Sequence, residues 1–233
     1  MPIAANPSNP SHLRIAMPDS STYHPQPDEH GKPVRLASPS IPTDLASWHQ
    51  RTRRATVIPL GALPAELNGV AFAPWIDAPA MPAGWAMVDG QAAIDEPAFA
   101  LPPHMAAAAG VVIVEADGRV WAVAPSNRFG GYDATFPKGR VDAGAGLQAN
   151  AIREAYEESG LRVRIVAHLI DCARTQTYTR FYLARRVGGT PSLMGWESQA
   201  VHLAPQDELP QLLCNPNDRT VIAALMRSHH VHK

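Results

Sequence analysis

The stretch "FPKGRVDAGAGLQANAIREAYEESGL", residues 136–161, decides how the rest of the chain is read. Its second half predicts a helix over Leu147–Ser159. Ala151, Ile152, Ala155 and Tyr156 recur at the spacing of one apolar helix face, and Gly160 supplies the stop. Residues three and four apart share a helix face, so Glu154 stands beside both Glu157 and Glu158. Such like-charge pairs destabilise an isolated helix by roughly 0.2–0.5 kcal/mol each. The acids also fall near the helix C-terminus, where the dipole disfavours them. Arg153 offsets part of this, but as a sequence neighbour of Glu154 it is expected to point elsewhere. A bound divalent cation would relieve both penalties, and hard oxygen donors favour Mg²⁺ or Mn²⁺ over Zn²⁺. On spacing alone a solvated acidic face is the simpler account. The first half of the stretch shifts the balance. Its glycines, Gly139 above all, permit a tight turn and close approach of a ligand. Lys138 and Arg140 place cations beside the acids, which is what a metal-bound polyphosphate requires.

Outward from this stretch the elements alternate. "VVIVEADGRVWAV" reads as strand, Asp117-Gly118 hairpin turn, strand. "SNRFGGYDATFPKGRVDAGAG" reads as a glycine-punctuated loop. "RVRIVAHLIDCA", "TRFYLARRV" and "QAVHLAP" read as strands. Asn217–Ser228 reads as a last helix capped by Asn217. This mixed order predicts an α/β or α+β layered domain over residues 105–233. Residues 1–104 differ in texture: they hold 17 of the 23 prolines. They are expected to be a Pro-rich extension or small domain of short pieces. These pieces include a helix near "TDLASWHQRTRRA" capped by Thr43, a strand "ATVIPL", and a solvated "RTRR" cluster.

Bulk properties narrow the partners. The chain has 233 residues, 45% hydrophobic, with net charge −1, so no general attraction to nucleic acid or anionic membrane is expected. No segment is apolar enough over sufficient length to span a bilayer. Cys172 and Cys214 fit neither a metal knuckle nor a disulfide framework, which points to a reducing, cytoplasmic setting. The terminal "HHVHK" reads as a surface tail.

Residues 139–161 resemble the Nudix box, the pattern G-x5-E-x7-R-E-U-x-E-E-x-G-U with U a bulky apolar residue. Gly139, Arg153, Glu154, Glu157, Glu158, Gly160 and Leu161 match at that spacing, with Ala155 a weaker fit at the first U. The resemblance covers about residues 105–228. It implies an α/β/α sandwich around a mixed β-sheet. It also implies hydrolysis of a nucleoside diphosphate linked to another group, with Mg²⁺ or Mn²⁺ as cofactor. Carried over, Glu154, Glu157, Glu158 and the carbonyl of Lys138 are the metal ligands, and Arg153 orients a glutamate. Glu197 is a candidate general base on a downstream loop, balanced against an ordinary exposed acid. Arg128, Lys138, Arg140 and Arg180 are candidate substrate cations; Tyr132 and Trp196 are loop aromatics that could stack on a base or simply anchor packing. The "PKG" loop and "YLARR" strand look closest to the branch that cleaves dinucleoside polyphosphates. Alternatives are an ADP-ribose-type pyrophosphatase or a weakened nucleotide sensor. The latter is motivated by Ala145, which stands where the pattern has its first glutamate; Asp142 is a substitute candidate. The extension could wrap the catalytic domain, close over substrate or mediate a homodimer.

Overall fold

The computed structural model describes residues 22–228; the N-terminal stretch and the histidine tail lie outside them. The extension contributes five short strands and a helical turn: β1 (Thr22–Tyr23), β2 (Arg35–Leu36), β3 (Ala55–Val57), β4 (Glu66–Leu67), β5 (Val70–Ala71) and α1 (Pro82–Ala86). After it come β6 (Ala106–Ile113), β7 (Val120–Pro125), β8 (Lys138–Arg140), α2 (Leu147–Ser159), β9 (Leu161–Ala173), β10 (Thr177–Gly189), β11 (Ser198–Ala204), α3 (Leu209–Leu212) and α4 (Pro216–Ser228).

One sheet runs β8-β6-β10-β9 and another runs β3-β11-β7. β10 lies parallel to β6, while β8 on β6 and β9 on β10 are antiparallel, so the larger sheet is mixed as expected. Strand alternation sorts the side chains into two layers. Ala109, Val111 and Ile113 face a core shared with Ala149, Ala151, Ile152 and Ala155 of α2. Val112 and Val114 face the opposite core, closed by Val221, Ile222 and Leu225 of α4. β10 follows the same rule, with Tyr182 and Ala184 toward α2 and Phe181 toward α4. The result is the expected helix–sheet–helix layering.

The extension adds to the α2 side. Trp48, Val57, Leu67, Trp75, Trp85 and Val88 belong to that same core, and β3 pairs with β11. Trp75 and Trp85 pack on Tyr156, the outer residue of the α2 apolar face, at centroid distances of 5.2 and 6.0 Å. Arg119 is buried and binds the backbone carbonyls of Ser47, Trp48, Gln50 and Arg53, tying the extension to the β6–β7 turn.

Several local expectations are corrected. Lys138–Arg140 is a strand paired with Ala108–Gly110 rather than free loop. The Asp117-Gly118 turn forms, but its strands part into different sheets after the Val114–Val120 bridge. The turn at Leu45–His49 is a 3₁₀ helix capped by Asp44, whose carboxylate accepts from the Ser47 N–H; Thr43 Oγ1 accepts instead from Thr56 N–H. The Asn215 side chain, not Asn217, receives an N–H at the start of α4; the Asn217 amide is drawn to the Tyr132 hydroxyl. Among the described residues no helix is long and apolar enough to cross a membrane, and both cysteines are free thiols.

Candidate functional site

Helix α2 begins and ends where its sequence predicts. Gly160 closes it at φ 68, and a Cβ there would lie 2.4 Å from the Thr190 carbonyl, so glycine is required on two counts. Docking of the apolar face fixes the rotation of the helix and turns the acids toward β8. Glu154 is buried, Glu158 half-buried and Glu157 exposed.

Gly139 explains how Glu154 can be buried there. The Glu154 carboxylate occupies the space a side chain at 139 would fill: a Cβ would stand 2.1 Å from Oε2. Glu158 Oε2 accepts the Lys138 backbone N–H at 3.0 Å. The spacing of the acids suggests that all three share one face; Glu154 and Glu157 lie by Arg153, and Glu158 lies by the Lys138 N–H. Among the described residues no three His, Cys, Asp or Glu side chains stand together as a ready metal cage.

Arg153 does not point away. Its guanidinium donates to Glu154 Oε1 at 3.2 Å, Asn150 Oδ1 at 2.9 Å and Asp142 Oδ2 at 2.9 Å, and lies 3.9 Å from Glu157 Oε2. A long side chain can fold back across a helical turn, which adjacency in sequence concealed. Asp142 thereby joins the group. Ala145 lies exposed in a turn closed by its N–H to the Asp142 carbonyl. Asn150, which the sequence reading passed over, also donates to the Gly139 carbonyl at 3.3 Å. Its i+3 and i+4 relation to Arg153 and Glu154 was the available signal.

The charges are poorly matched. Burial, then the charges of Glu158 and Glu157, pushes the Glu154 carboxyl far above the usual carboxylate range. Burial also raises Glu158, against the pull of Lys138, and raises Glu157 against Arg153. Glu197 is part of this electrostatic neighbourhood: it too is pushed up by desolvation, then by Glu29. Its loop is held on both sides. The Gly195 N–H donates to the Glu157 carbonyl at 2.8 Å, and the Ser126 N–H donates to the Glu197 carbonyl at 2.7 Å.

The candidate cations separate. The Lys138 ammonium lies 5.5 Å over the Tyr132 ring. Arg140 is exposed and reaches Gln176 at 3.3 Å. Arg128 is exposed and paired with Asp133 at 2.7 Å. Arg180 is buried with its guanidinium engaged by Asp171, Glu96 and the Pro97 carbonyl, so it is not presented to the α2 glutamates. Tyr132 serves as an anchor: its hydroxyl accepts from Arg174 and Asn217. Trp196 is half-buried, with its carbonyl taken by Ser126 Oγ. His168 pairs with Asp171 and His202 with Thr56, as partnered strand residues. Cys172 is buried and its thiol is pushed up by desolvation, contrary to what a nucleophile needs. Two cavities, of about 450 Å³ beside Glu96 and Gln148 and about 430 Å³ beside Asn68 and Arg186, lie away from these acids.

The donor set suits a hard divalent cation chemically, since it is carboxylate oxygen in excess over local positive charge. Comparison with known proteins identifies the family. An RNA pyrophosphohydrolase of Pectobacterium carotovorum is 32% identical over 112 residues, covering 47% of this chain and 56% of the relative. One from Sodalis glossinidius is 33% identical over 112 residues, covering 47% and 57%. The chain thus spans a little over half the length of these curated relatives. Among solved structures, a C. elegans Ap4A hydrolase aligns with TM-score 0.45 at 18% identity, over 54% of this chain and 98% of that one. An ADP-ribose pyrophosphatase from Streptococcus suis aligns with TM-score 0.44 at 22% identity, over 53% and 91%. The NUDIX domain family model matches residues 104–225, slightly more than half the chain and the whole of the β8–α2 region just described, and on that match this protein belongs to the Nudix family.

Proposed function

We propose that the protein is a divalent-metal-dependent hydrolase of a phosphoanhydride bond, acting on a nucleoside diphosphate linked to another moiety. The observation that carries this reading is the fit of Glu154 against bare Gly139, with Glu158 on the Lys138 N–H and Glu157 open to solvent. Glu154, Glu157, Glu158 and the Lys138 carbonyl would hold Mg²⁺ or Mn²⁺. Such an ion supplies Lewis-acid polarisation of a phosphoryl oxygen and lowers the pKa of attacking water. Arg153 keeps Glu154 oriented and ionisable through its charge-assisted hydrogen bond. Glu197 is the general-base candidate, and desolvation raises its affinity for a proton. Lys138 and Arg140 flank the acids and would meet the substrate's phosphates.

Residues 105–233 carry this chemistry in our reading, with residues 1–104 an N-terminal extension whose described part packs into the core on the α2 side. A dinucleoside polyphosphate is the favoured substrate. The relatives named RNA pyrophosphohydrolases add RNA to the compounds worth testing, and ADP-ribose is the remaining alternative. A weakened, nucleotide-binding protein is a second reading, favoured by Ala145 alone.

The test is incubation of the purified chain with Mg²⁺ or Mn²⁺ and a panel of dinucleoside polyphosphates, ADP-ribose, nucleoside triphosphates and pyrophosphate-bearing RNA. Metal-dependent release of phosphate-containing product from at least one is expected, with Glu157→Gln inactive yet folded. Binding of nucleotide without turnover of any compound would replace the hydrolase reading with the sensor one.

A further inference from the structure

Residues 35–40 of the extension lie against the Ser126–Gly131 turn and the start of β11, both of which adjoin Glu197. The contact is made by two side-chain amides. Asn127 Oδ1 accepts the Ala37 N–H at 2.8 Å, and Asn127 Nδ2 donates to the Arg35 carbonyl at 2.7 Å. Gln199 Nε2 donates to the Ser38 carbonyl at 2.9 Å and to Ser40 Oγ at 3.0 Å. The two amides are joined, because the Asn127 backbone N–H donates to Gln199 Oε1 at 3.0 Å. The extension, Asn127 and Gln199 therefore close one ring of hydrogen bonds.

Asn127 needs holding. It and Arg128 both sit in the left-handed region, at φ 55 and φ 56, where two successive non-glycine residues are rare. The next residue upstream, Ser126, grips the Glu197 loop twice, through its N–H to the Glu197 carbonyl and its Oγ to the Trp196 carbonyl, each at 2.7 Å. That loop is tied in turn to α2 by the Gly195 N–H on the Glu157 carbonyl. The extension comes close here as well: a Cβ on Gly195 would lie 4.0 Å from Gln26 Oε1.

We propose that Asn127 and Gln199 are positioning residues through which the N-terminal extension sets the Glu197 loop against the carboxylate helix. The inference rests on the functional reading in which Glu197 takes part in the reaction. The Asn127 contacts with the extension face solvent, so losing them costs little stability while loosening the geometry; small misplacements in an active site are costly to rate.

Asn127→Gly is the informative variant. Glycine accepts the left-handed backbone without strain and deletes both side-chain bonds. Asn127→Asp keeps the acceptor for Ala37 and loses the donor to Arg35. For Asn127→Gly we expect kcat to fall on the order of tenfold with KM and metal half-saturation unchanged, and Asn127→Asp to fall between it and wild type. In a Glu197→Gln background Asn127→Gly should cost nothing more, because both changes act through one group. The Ser126 and Ser198 amides should exchange hydrogen faster, independently of turnover. Wild-type kcat and exchange in Asn127→Gly, or losses that multiply in the double variant, would overturn the inference while leaving the hydrolase reading in place. A wild-type chain with no turnover would overturn the hydrolase reading, and unchanged exchange in Asn127→Gly would then still decide against the positioning role.

Discussion

Two groups of acids lie on the α2 side of the large sheet, and they are built on opposite plans. In the first, Glu154 and Glu157 share Arg153 while Glu158 is met by Lys138, and desolvation drives all three carboxyls upward. In the second, Asp171 and Glu96 clasp Arg180 from both sides. Burial opposes ionisation of Asp171 and Glu96 too, but their hydrogen bonds outweigh it. Arg180 and His168 take Asp171 below its ordinary value, and Gln148, Tyr182 and Arg180 do the same for Glu96. The matched group ties the strap around Glu96 to β10. The unmatched group retains an unmet demand for positive charge, which costs stability and which a bound cation would relieve.

The largest change is expected from filling the space that lets Glu154 into the first group. Gly139→Ala would push the Glu154 carboxylate aside, since it is the end of a flexible side chain rather than backbone that the new Cβ meets. Turnover should fall on the order of 100-fold with far-ultraviolet dichroism unchanged; retention of wild-type kcat/KM would mean Glu154 has no place in the reaction. The second group should respond in stability instead. Arg180→Met leaves two acids without their partner and should cost about 3 kcal/mol, read as a lowered denaturant midpoint. A rise in KM at unchanged stability would restore Arg180 as a substrate contact.

The pH response separates the groups further. Glu154 and Glu158 hold protons in the folded state at pH values where the unfolded chain has released them. Stability should therefore fall as pH rises from near the ordinary glutamate range toward neutrality and beyond, in the absence of divalent metal. Metal must displace those protons, so the rise in Tm on adding Mg²⁺ should be larger at pH 8 than at pH 6. It should correspond to about 2.7 kcal/mol when Mg²⁺ is a hundredfold above its Kd. A pH-independent increment would show that the ion binds elsewhere. Buried His202 titrates in the opposite sense. Its pKa is pushed down to about 4 by burial, so its neutral form stabilises the fold above about pH 6.5, and that contribution is lost as pH falls toward 4. The smallest effect is expected at Ala145. Ala145→Glu should lower the Mg²⁺ needed for half-maximal activity by a few-fold; no change would indicate that Asp142, already bound to Arg153, meets the need.

Much of this contrast was legible in the chain itself. The limits of α2 followed from its apolar period and the glycine that ends it. The strands read from "RVRIVAHLIDCA", "TRFYLARRV" and "QAVHLAP" formed as β9, β10 and β11. What escaped were features that depend on distant partners. Lys138–Arg140 is too short to read as a strand, and its pairing comes from Ala108–Gly110. The engagement of Arg180 depends on Glu96, 84 residues away, and the grip on Asn127 on Arg35, 92 residues away. Arg153 was misjudged because adjacency in sequence hides how far a guanidinium can fold back. The aromatic packing of Trp75 and Trp85 on Tyr156 likewise links segments with no local signal between them.

The central claim is that the unmatched group holds a divalent cation, and Mn²⁺ binding followed by electron paramagnetic resonance tests it without reference to any substrate. Wild-type protein should remove free Mn²⁺ from solution in a saturable manner, and Glu157→Gln should weaken that binding by at least about tenfold, the loss of one hard ligand. Equal binding by both proteins, or none by the wild type, would contradict the account.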